Sequence, residues 1–458
     1  MASILTLMHR LVARILTPSR IFMLSFAVVI FLGAFLLYLP FSCSHRSLSF
    51  VDALFTSASA VCVTGLASID IGKDLSPAGQ IITLILFQVG GLGIITFSVI
   101  LFGLMGRGVS FKGREIAQST FLHTPRRDFL VIIKWVFIST AIIESLGTLI
   151  LFVRFLSDFP VGRAFYLALY HAVSAFNNCG YSLFSDNLMS YQGDWTINLT
   201  IMLLIILGGI GFIVQYELFM KCRGKQKRLS VHTKIVLLMT GILILGGAAL
   251  FYLFEMHHMV KDMPLSAGIL ASFFHSVSSR TSGFNTVDMS QLTNATLLLL
   301  IILMFIGASP GSTGGGIKTT SFTLLLMMIW NRLRGSEQVN IFNRTIPAEI
   351  LTRTLAIVFT SAFFVFVITS ILLLWANESG MHPVETRHFF VEYLFETVSA
   401  FGTVGLSMNV TPKLNDVQKL AIIIMMFAGR VGPLTLAFSW YSRRKKSLTY
   451  AEETVMVG

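Results

Sequence analysis

Eight long apolar runs, at about residues 21–39, 80–105, 130–153, 196–220, 235–254, 293–330, 354–376 and 420–442, leave this chain few folds to choose from. A helix needs about 20 consecutive apolar residues to cross the hydrocarbon core of a bilayer. Most of the runs reach that length. Across the 458 residues the AVILMFWYC set makes up 54% and charged residues only 12%, against roughly 25% charged in soluble domains. So little polar surface cannot coat a water-soluble particle of this size, which excludes a cytosolic enzyme or an ordinary secreted globule. The first run is too long for the apolar stretch of a signal peptide, and no small-residue cleavage site precedes Pro40, so it is expected to be retained as an anchor.

A net charge of +12 raises the question of nucleic acid. Nucleic-acid readers keep their basic residues in one stripe on a polar fold, whereas here they fall in short blocks between apolar runs. Twenty-two of the 34 lie in five alternate segments: the stretch up to Arg20, then 107–127, 221–234, 332–353 and 443–446. The positive-inside rule makes these segments cytoplasmic and puts both termini inside. Eight crossings, an even number, agree with that. Cys43, Cys62, Cys179 and Cys222 have no metal-ligand spacing, fall on both expected sides of the membrane, and read as isolated thiols.

The chain also repeats. After the first, third, fifth and seventh runs comes a shorter apolar stretch that ends in a polar, glycine-centred segment: FVDALFTSASAVCVTGLAS (50–68), YLALYHAVSAFNNCGYSLF (166–184), ILASFFHSVSSRTSGFNTVD (269–288) and VEYLFETVSAFGTVGLSMN (391–409). Gly65, Gly180, Gly283 and Gly405 come into register, 115, 103 and 122 residues apart. The expected fold is therefore an all-α integral membrane protein of four tandem M-P-M units (membrane helix, pore half-helix with its loop, membrane helix) around one pseudo-fourfold pore. Its divisions are a cytoplasmic N-terminus (1–20), repeats at 21–106, 107–222, 223–335 and 336–446, and a cytoplasmic tail (447–458). The third copy is one residue shorter between its SVS element and its glycine, so the four loops cannot be geometrically identical.

Extended backbone at membrane depth cannot face lipid, and survives only buried in protein or lining a watery cavity. Four such loops imply one shared cavity. Carbonyls aimed into a narrow axis replace the hydration shell of a cation, as the four TVGYG loops of K⁺ channels do, and glycine supplies the backbone angles this requires. The candidate filter residues are Val63-Thr64-Gly65, Asn178-Cys179-Gly180, Thr281-Ser282-Gly283 and Thr403-Val404-Gly405. Their backbone carbonyls are the expected ligands for K⁺. Each half-helix also aims its negative end at the loops, which favours a cation.

Four M-P-M units with these loops resemble the bacterial Trk/Ktr/HKT superfamily of potassium transporters. The runs SAFGTVGLSMNVTPKL, SAFNNCGYSLF and VTGLA are most similar to the KtrB-type membrane subunit of Ktr systems, over nearly the whole chain from about residue 15. The TrkH branch is expected to have two additional N-terminal spans, and the KtrB-type resemblance carries the expectation that this chain lacks them. The resemblance implies a K⁺-translocating subunit of the bacterial inner membrane, a homodimer, and a separate cytoplasmic RCK-type (KtrA-like) ring that binds the regulatory nucleotide, ATP/ADP or NAD. Sodium dependence occurs in that family and enters only with the resemblance. No cofactor and no nucleic acid is expected on this chain.

The segment GASPGSTGGGIKTTSF (307–322) interrupts the sixth run. Pro310 removes a backbone donor and the glycines favour irregular backbone. A phosphate-binding loop is excluded, because Gly316-Ile317-Lys318 puts Ile inside the required G-K-[ST]. In the family this segment obstructs the pore beneath the filter, which implies a gate of Ser309, Pro310, Gly311, Ser312, Thr313, Gly314, Gly315 and Gly316. A helix kink made for packing is the competing reading. Arg430, in FAGRVGPL, lies mid-span, where a guanidinium is costly and faces a cavity or a partner. It is read as a gate residue, with a bond to carbonyls near 309–316 as the bland equivalent.

Lys318 is expected to snorkel to the cytoplasmic side. Glu144 reads equally as a packing contact or a transport residue. Asp52 and Glu392 are expected in the N-terminal turns of their half-helices, where capping the helix dipole is reason enough for them, with concentration of cations outside as the functional alternative. GGLG (90–93) and GGIG (208–211) read as close-packing sites. His257-His258 lacks a third ligand, so a metal site is not expected. No catalytic constellation was found, so the chain is not expected to be an enzyme. The basic loops 107–127, 221–234 and 332–346 are candidate docking surfaces for the ring, although topology alone explains their charge. The rival reading is an alternating-access secondary cation transporter with broken helices, which predicts an inverted repeat rather than four copies in one orientation.

Overall fold

The computed structural model describes residues 18–44, 47–104, 129–336, 338–376 and 387–432. These residues are mostly helical, with one two-stranded hairpin. The first repeat is α1 (Pro18–Tyr38), the half-helix α2 (Phe50–Cys62) and α3 (Pro77–Leu104); the second is α4 (Phe129–Phe155), the half-helix α5 (Val161–Phe176) and the pair α6 (Trp195–Gly209) and α7 (Phe212–Cys222). The third is α8 (Val231–Glu255), the half-helix α9 (Leu265–Ser278) and the pair α10 (Asn294–Phe305) and α11 (Thr319–Leu333). A small hairpin, β1 (Asn340–Ile341) with β2 (Arg344–Thr345), leads to α12 (Ala348–Leu374), the half-helix α13 (Arg387–Gly402) and α14 (Asp416–Val431).

Local chemistry sets many of the helix starts. Ser49, Asp194, Ser230 and Thr293 each accept a hydrogen bond from the backbone N–H three residues on, and Asn415 forms a reciprocal capping box with Gln418. Helices α5, α9 and α12 begin straight after Pro160, Pro264 and Pro347, which hold extended backbone before the first turn. The half-helices have 13, 16, 14 and 16 residues, or about 20–24 Å at 1.5 Å per residue, too short for a core ~30 Å thick. Lys134–Phe155, Val231–Glu255 and Ala348–Leu374 run 22, 25 and 27 residues and are apolar enough to cross a membrane.

The repeats close into a ring through one contact made four times. The last membrane helix of each repeat packs on the half-helix of the next: α3 on α5, α6 on α9, α10 on α13, and α14 back on α2. A salt bridge from Lys419 Nζ to Asp52 Oδ1, 2.7 Å, joins the fourth repeat to the first. Polarity is inverted relative to a soluble protein. Phe359, Phe363, Phe366 and Leu374 on α12 are 72, 65, 70 and 81% exposed, while Ser57, Ser59, Thr64, Ser309 and Thr313 are fully buried.

The structure corrects one of the expected spans. The run 196–220 is not a continuous span, because α6 and α7 diverge by 100°. Gly211 turns the chain at φ +93°, and Phe212 N–H, the first donor of α7, bonds to Gly311 O at 2.9 Å instead of to its own helix. The interruption of the sixth run is confirmed as an interruption, with α10 ending at Phe305 and α11 starting at Thr319.

Candidate functional site

Each glycine loop hangs from a serine in the last turns of its half-helix. Ser59, Ser174, Ser278 and Ser399 are equivalent, and each carbonyl accepts the N–H of the residue before the glycine: Thr64, Cys179, Ser282 and Val404, at 2.8, 2.9, 2.9 and 2.9 Å. The hydroxyls hold the other side of the loop. Ser59 and Ser399 accept from the N–H of Gly65 and Gly405 at 3.1 and 3.0 Å. Ser174 and Ser278 instead donate to the carbonyls of Tyr181 and Phe284, one residue past the glycine, at 2.8 and 2.5 Å.

The four glycines adopt φ of +89°, +79°, +77° and +98°, and two residues earlier Val63, Asn178 and Thr403 are also left-handed. The third loop has no left-handed residue before Gly283. Its missing residue leaves no place for one, so the length difference seen in the sequence becomes a difference in backbone path.

The loops meet at their glycines. A Cβ on Gly65 would stand 1.9 Å from Cys179 O, one on Gly180 1.9 Å from Ser282 O, one on Gly283 2.3 Å from Val404 O, and one on Gly405 2.2 Å from Thr64 O. Thus each glycine lies against the carbonyl preceding the next glycine, in the order one, two, three, four and back to one. Tyr181 locks the second loop to the first through its hydroxyl, which lies 3.2 Å from Thr56 O and Leu66 O. The side chains of Asn178 and Thr281 meet at 3.0 Å across the second and third loops.

The broken helix pair of the third repeat sits against these loops. Gly315 N–H donates to Thr403 Oγ1 at 2.8 Å, and Thr313 Oγ1 donates to Phe176 O at 3.3 Å. A Cβ on Gly314 would be 2.5 Å from Thr281 Cγ2. Ser309 N–H and Thr313 N–H donate to Gly209 O and Gly208 O at 3.1 and 3.3 Å, so Ser309, Pro310, Gly311, Ser312 and Thr313 line the bend between α6 and α7. Gly316, at φ +68°, threads between Gly307 and Gly402.

Arg430 is 4% exposed and donates to Thr313 O, to Gly90 O at 2.6 Å and to Gly91 O at 3.3 Å. The guanidinium therefore ties the loop of the third repeat to the first and fourth. Lys318 departs from expectation. It does not snorkel but folds back, donating to Gly314 O at 2.7 Å and Gly315 O at 3.2 Å. Three freed carbonyls of an interrupted helix are thereby satisfied by two cations, the outcome that burial of irregular backbone demands.

Other residues land differently. Asp52 stands in the first turn of α2, where its carboxylate complements the helix dipole as expected, while Ser49 is the N-cap residue; the same carboxylate is the ion-pair partner of Lys419. Glu392 lies beyond the first turn of α13 and so does not cap it. Glu144 accepts from Gln88 Nε2 at 3.2 Å and Asn177 Nδ2 at 3.1 Å, packing α4 on the second loop. All four cysteines are free, and among the described residues no group of His, Cys, Asp and Glu could hold a metal. Segments 107–127 and 443–446 lie outside the described residues.

Sequence reasoning missed the register that explains GGLG and GGIG. Gly90, Gly208 and Gly429 pack on equivalent half-helix carbonyls, those of Val61, Phe176 and Phe401, with no room for a Cβ. The signal was present: GGLG, GGIG, GASP and GRVG align, so Arg430 occupies the position that Gly91, Gly209 and Ala308 hold in the other repeats.

Residues 8–445 match the TrkH family, described as a cation transport protein. The chain belongs to the TrkH family. It is 39% identical to the Ktr system potassium uptake protein B of Bacillus subtilis over 446 residues, 96% of this chain and 97% of that protein. It is 34% identical to the potassium/sodium uptake protein NtpJ of Enterococcus hirae over 460 residues, covering 99% and 100%. A crystal structure of the potassium transporter TrkH from Vibrio parahaemolyticus superposes with a TM-score of 0.69 at 19% identity, covering 92% of this chain and 84% of that one. The all-α membrane fold and the absence of an enzymatic role follow from this membership.

Proposed function

We propose that the chain is the K⁺-translocating subunit of a Ktr-type uptake system. K⁺ would pass through the ring of loops, shedding water for the backbone carbonyls of Val63–Gly65, Asn178–Gly180, Thr281–Gly283 and Thr403–Gly405. The observation that carries this reading is the closed contact of four glycines, each against its neighbour's carbonyl. Four half-helices whose C-terminal ends converge on those loops add a negative potential that favours a cation. The names of the relatives supply potassium as the ion.

In this reading segment 309–316 and Arg430 form the gate. The segment touches Thr281 and Thr403 directly, and a fixed guanidinium beside it raises the barrier for a cation. A cytoplasmic RCK-type ring that binds ATP/ADP or NAD would release it, docking on the basic loops, while the membrane subunit forms a homodimer in the bacterial inner membrane with both termini cytoplasmic. Na⁺ would act as an activating or accompanying ion.

The test is net K⁺ uptake by a K⁺-transport-deficient bacterium expressing the full chain with its regulatory subunit, measured against external K⁺ with and without Na⁺. Saturable K⁺ uptake that Na⁺ does not displace supports the reading. Uptake no greater than the empty-vector strain, with the protein present in the membrane, refutes it.

A further inference from the structure

Three residues before each loop-anchoring serine, nearly one turn back on the same half-helix, stand Thr56, His171, His275 and Glu396. All four are fully buried. The position is the same in every repeat, yet its contacts differ.

In the fourth half-helix, Glu396 Oε1 accepts the hydroxyl of Thr411, which lies 3.1 Å from Ser407 Oγ. Ser407 Oγ accepts from Val410 N–H at 3.3 Å. The carboxyl is thereby fastened to the limb of chain that leaves Gly405, just past the left-handed Asn409. The incoming limb is fastened by Ser399, which holds Val404 N–H and Gly405 N–H. One turn of α13 thus grips both sides of the fourth loop.

The second loop is held in the same way, with His171 Nε2 2.9 Å from Ser182 Oγ and Phe184 N–H donating to that oxygen at 3.0 Å. In the first and third half-helices the hydroxyl of Thr56 and Nε2 of His275 have no hydrogen-bond partner among the described residues. His275 stacks on Phe251 instead, with ring centroids 5.3 Å apart. Given the order of closure, the two tied loops face each other across the ring and the two untied loops face each other between them.

A buried carboxyl is expensive unless bonded, and Thr56 shows that the fold accepts a small hydroxyl at this position. A carboxyl there needs a reason beyond packing. We propose that Glu396 is a positioning residue for ion discrimination: through Thr411 it fixes the outgoing limb of the fourth loop, and so the spacing of the Gly405 backbone against Gly65 and Gly283. This rests on the reading of the glycine ring as the ion-selective constriction.

The experiment measures K⁺ uptake, its competition by Na⁺, and membrane abundance for the full chain with its regulatory subunit. The variants are Thr411→Val, Thr411→Ser, Glu396→Gln, and Glu396→Gln combined with Thr411→Val. Thr411→Val is expected to raise KM for K⁺ about tenfold, the equivalent of one buried hydrogen bond to a carboxyl, with a matching loss of K⁺ preference over Na⁺ and little change in maximal rate. Thr411→Ser restores both values, and the double variant is no worse than Thr411→Val alone.

Wild-type KM and preference in Thr411→Val at normal abundance would overturn the proposal, as would a fall in maximal rate alone or multiplying effects in the double variant. Gly283→Ser separates the two levels. If it alters K⁺ affinity while Thr411→Val does not, only the role of Glu396 fails; if wild type shows no K⁺ uptake, the functional reading beneath it fails.

Discussion

Serine at position 283 should damage ion discrimination by a route that can be worked from the coordinates. Its Cβ would stand 2.3 Å from Val404 O, 2.9 Å from Gly405 Cα and 3.1 Å from Gly405 C, all backbone atoms of the neighbouring loop, so no change of rotamer relieves the overlap. Bringing the closest contact from 2.3 Å to the 3.0 Å below which real Cβ contacts essentially never fall displaces one loop by about 0.7 Å. The φ of +77° at that position adds roughly 1–3 kcal/mol of backbone strain for any residue with a side chain. Since 1.4 kcal/mol is a factor of ten, the expected rise in KM for K⁺ is about tenfold or more, with reduced preference over Na⁺. The assay is K⁺ uptake against external K⁺ in a transport-deficient strain, normalised to membrane abundance. Gly241→Ser is the control, because nothing lies within 4 Å of a Cβ there. Unchanged KM and preference in Gly283→Ser would refute the ring as the selective element, and an equal loss in Gly241→Ser would refute the steric argument.

Deleting 310–315 should raise K⁺ flux in cells lacking the regulatory subunit; flux that stays low and dependent on that subunit removes the gate assignment. Arg430→Leu takes away the donor shared by Thr313, Gly90 and Gly91. Faster K⁺ uptake at saturating K⁺ is expected, and a rate equal to wild type counts against a barrier role. Asp52→Asn leaves Lys419, whose side chain is 11% exposed, without its counter-charge. The solubilised protein should lose about 1–3 kcal/mol of stability, read as a lower Tm that Asp52→Asn with Lys419→Gln partly restores, while an unchanged Tm means the pair does not staple the first repeat to the fourth.

The apolar runs, the half-helices and the four glycines were legible in the sequence because each is a local property. Length sets whether a helix can cross, and a glycine at fixed distance from a serine sets the loop. The break in the third repeat was legible for the same reason, since Pro310 and its glycines act on their own backbone. The contacts of Glu144 and Asp52 were not, because their partners lie on other elements: Gln88 and Asn177, and Lys419. Lys318 folds back on the carbonyls of Gly314 and Gly315 in its own loop, a path that only the folded backbone of that loop sets.

The bend at Gly211 divides the two kinds of information. Sequence marks a glycine there, as it does at Gly93, but at Gly93 the helix α3 continues while at Gly211 the chain turns by 100°. The difference comes from Gly311, whose carbonyl receives the N–H that a continuing helix would have used. By itself, then, the sequence determined a membrane protein of four similar units, each with a glycine able to take a left-handed turn. Only the tertiary structure decided that those glycines touch in one closed ring and that Arg430 reaches the broken helix, because ring closure and a buried cation's choice of carbonyls depend on contacts between residues as many as 367 positions apart.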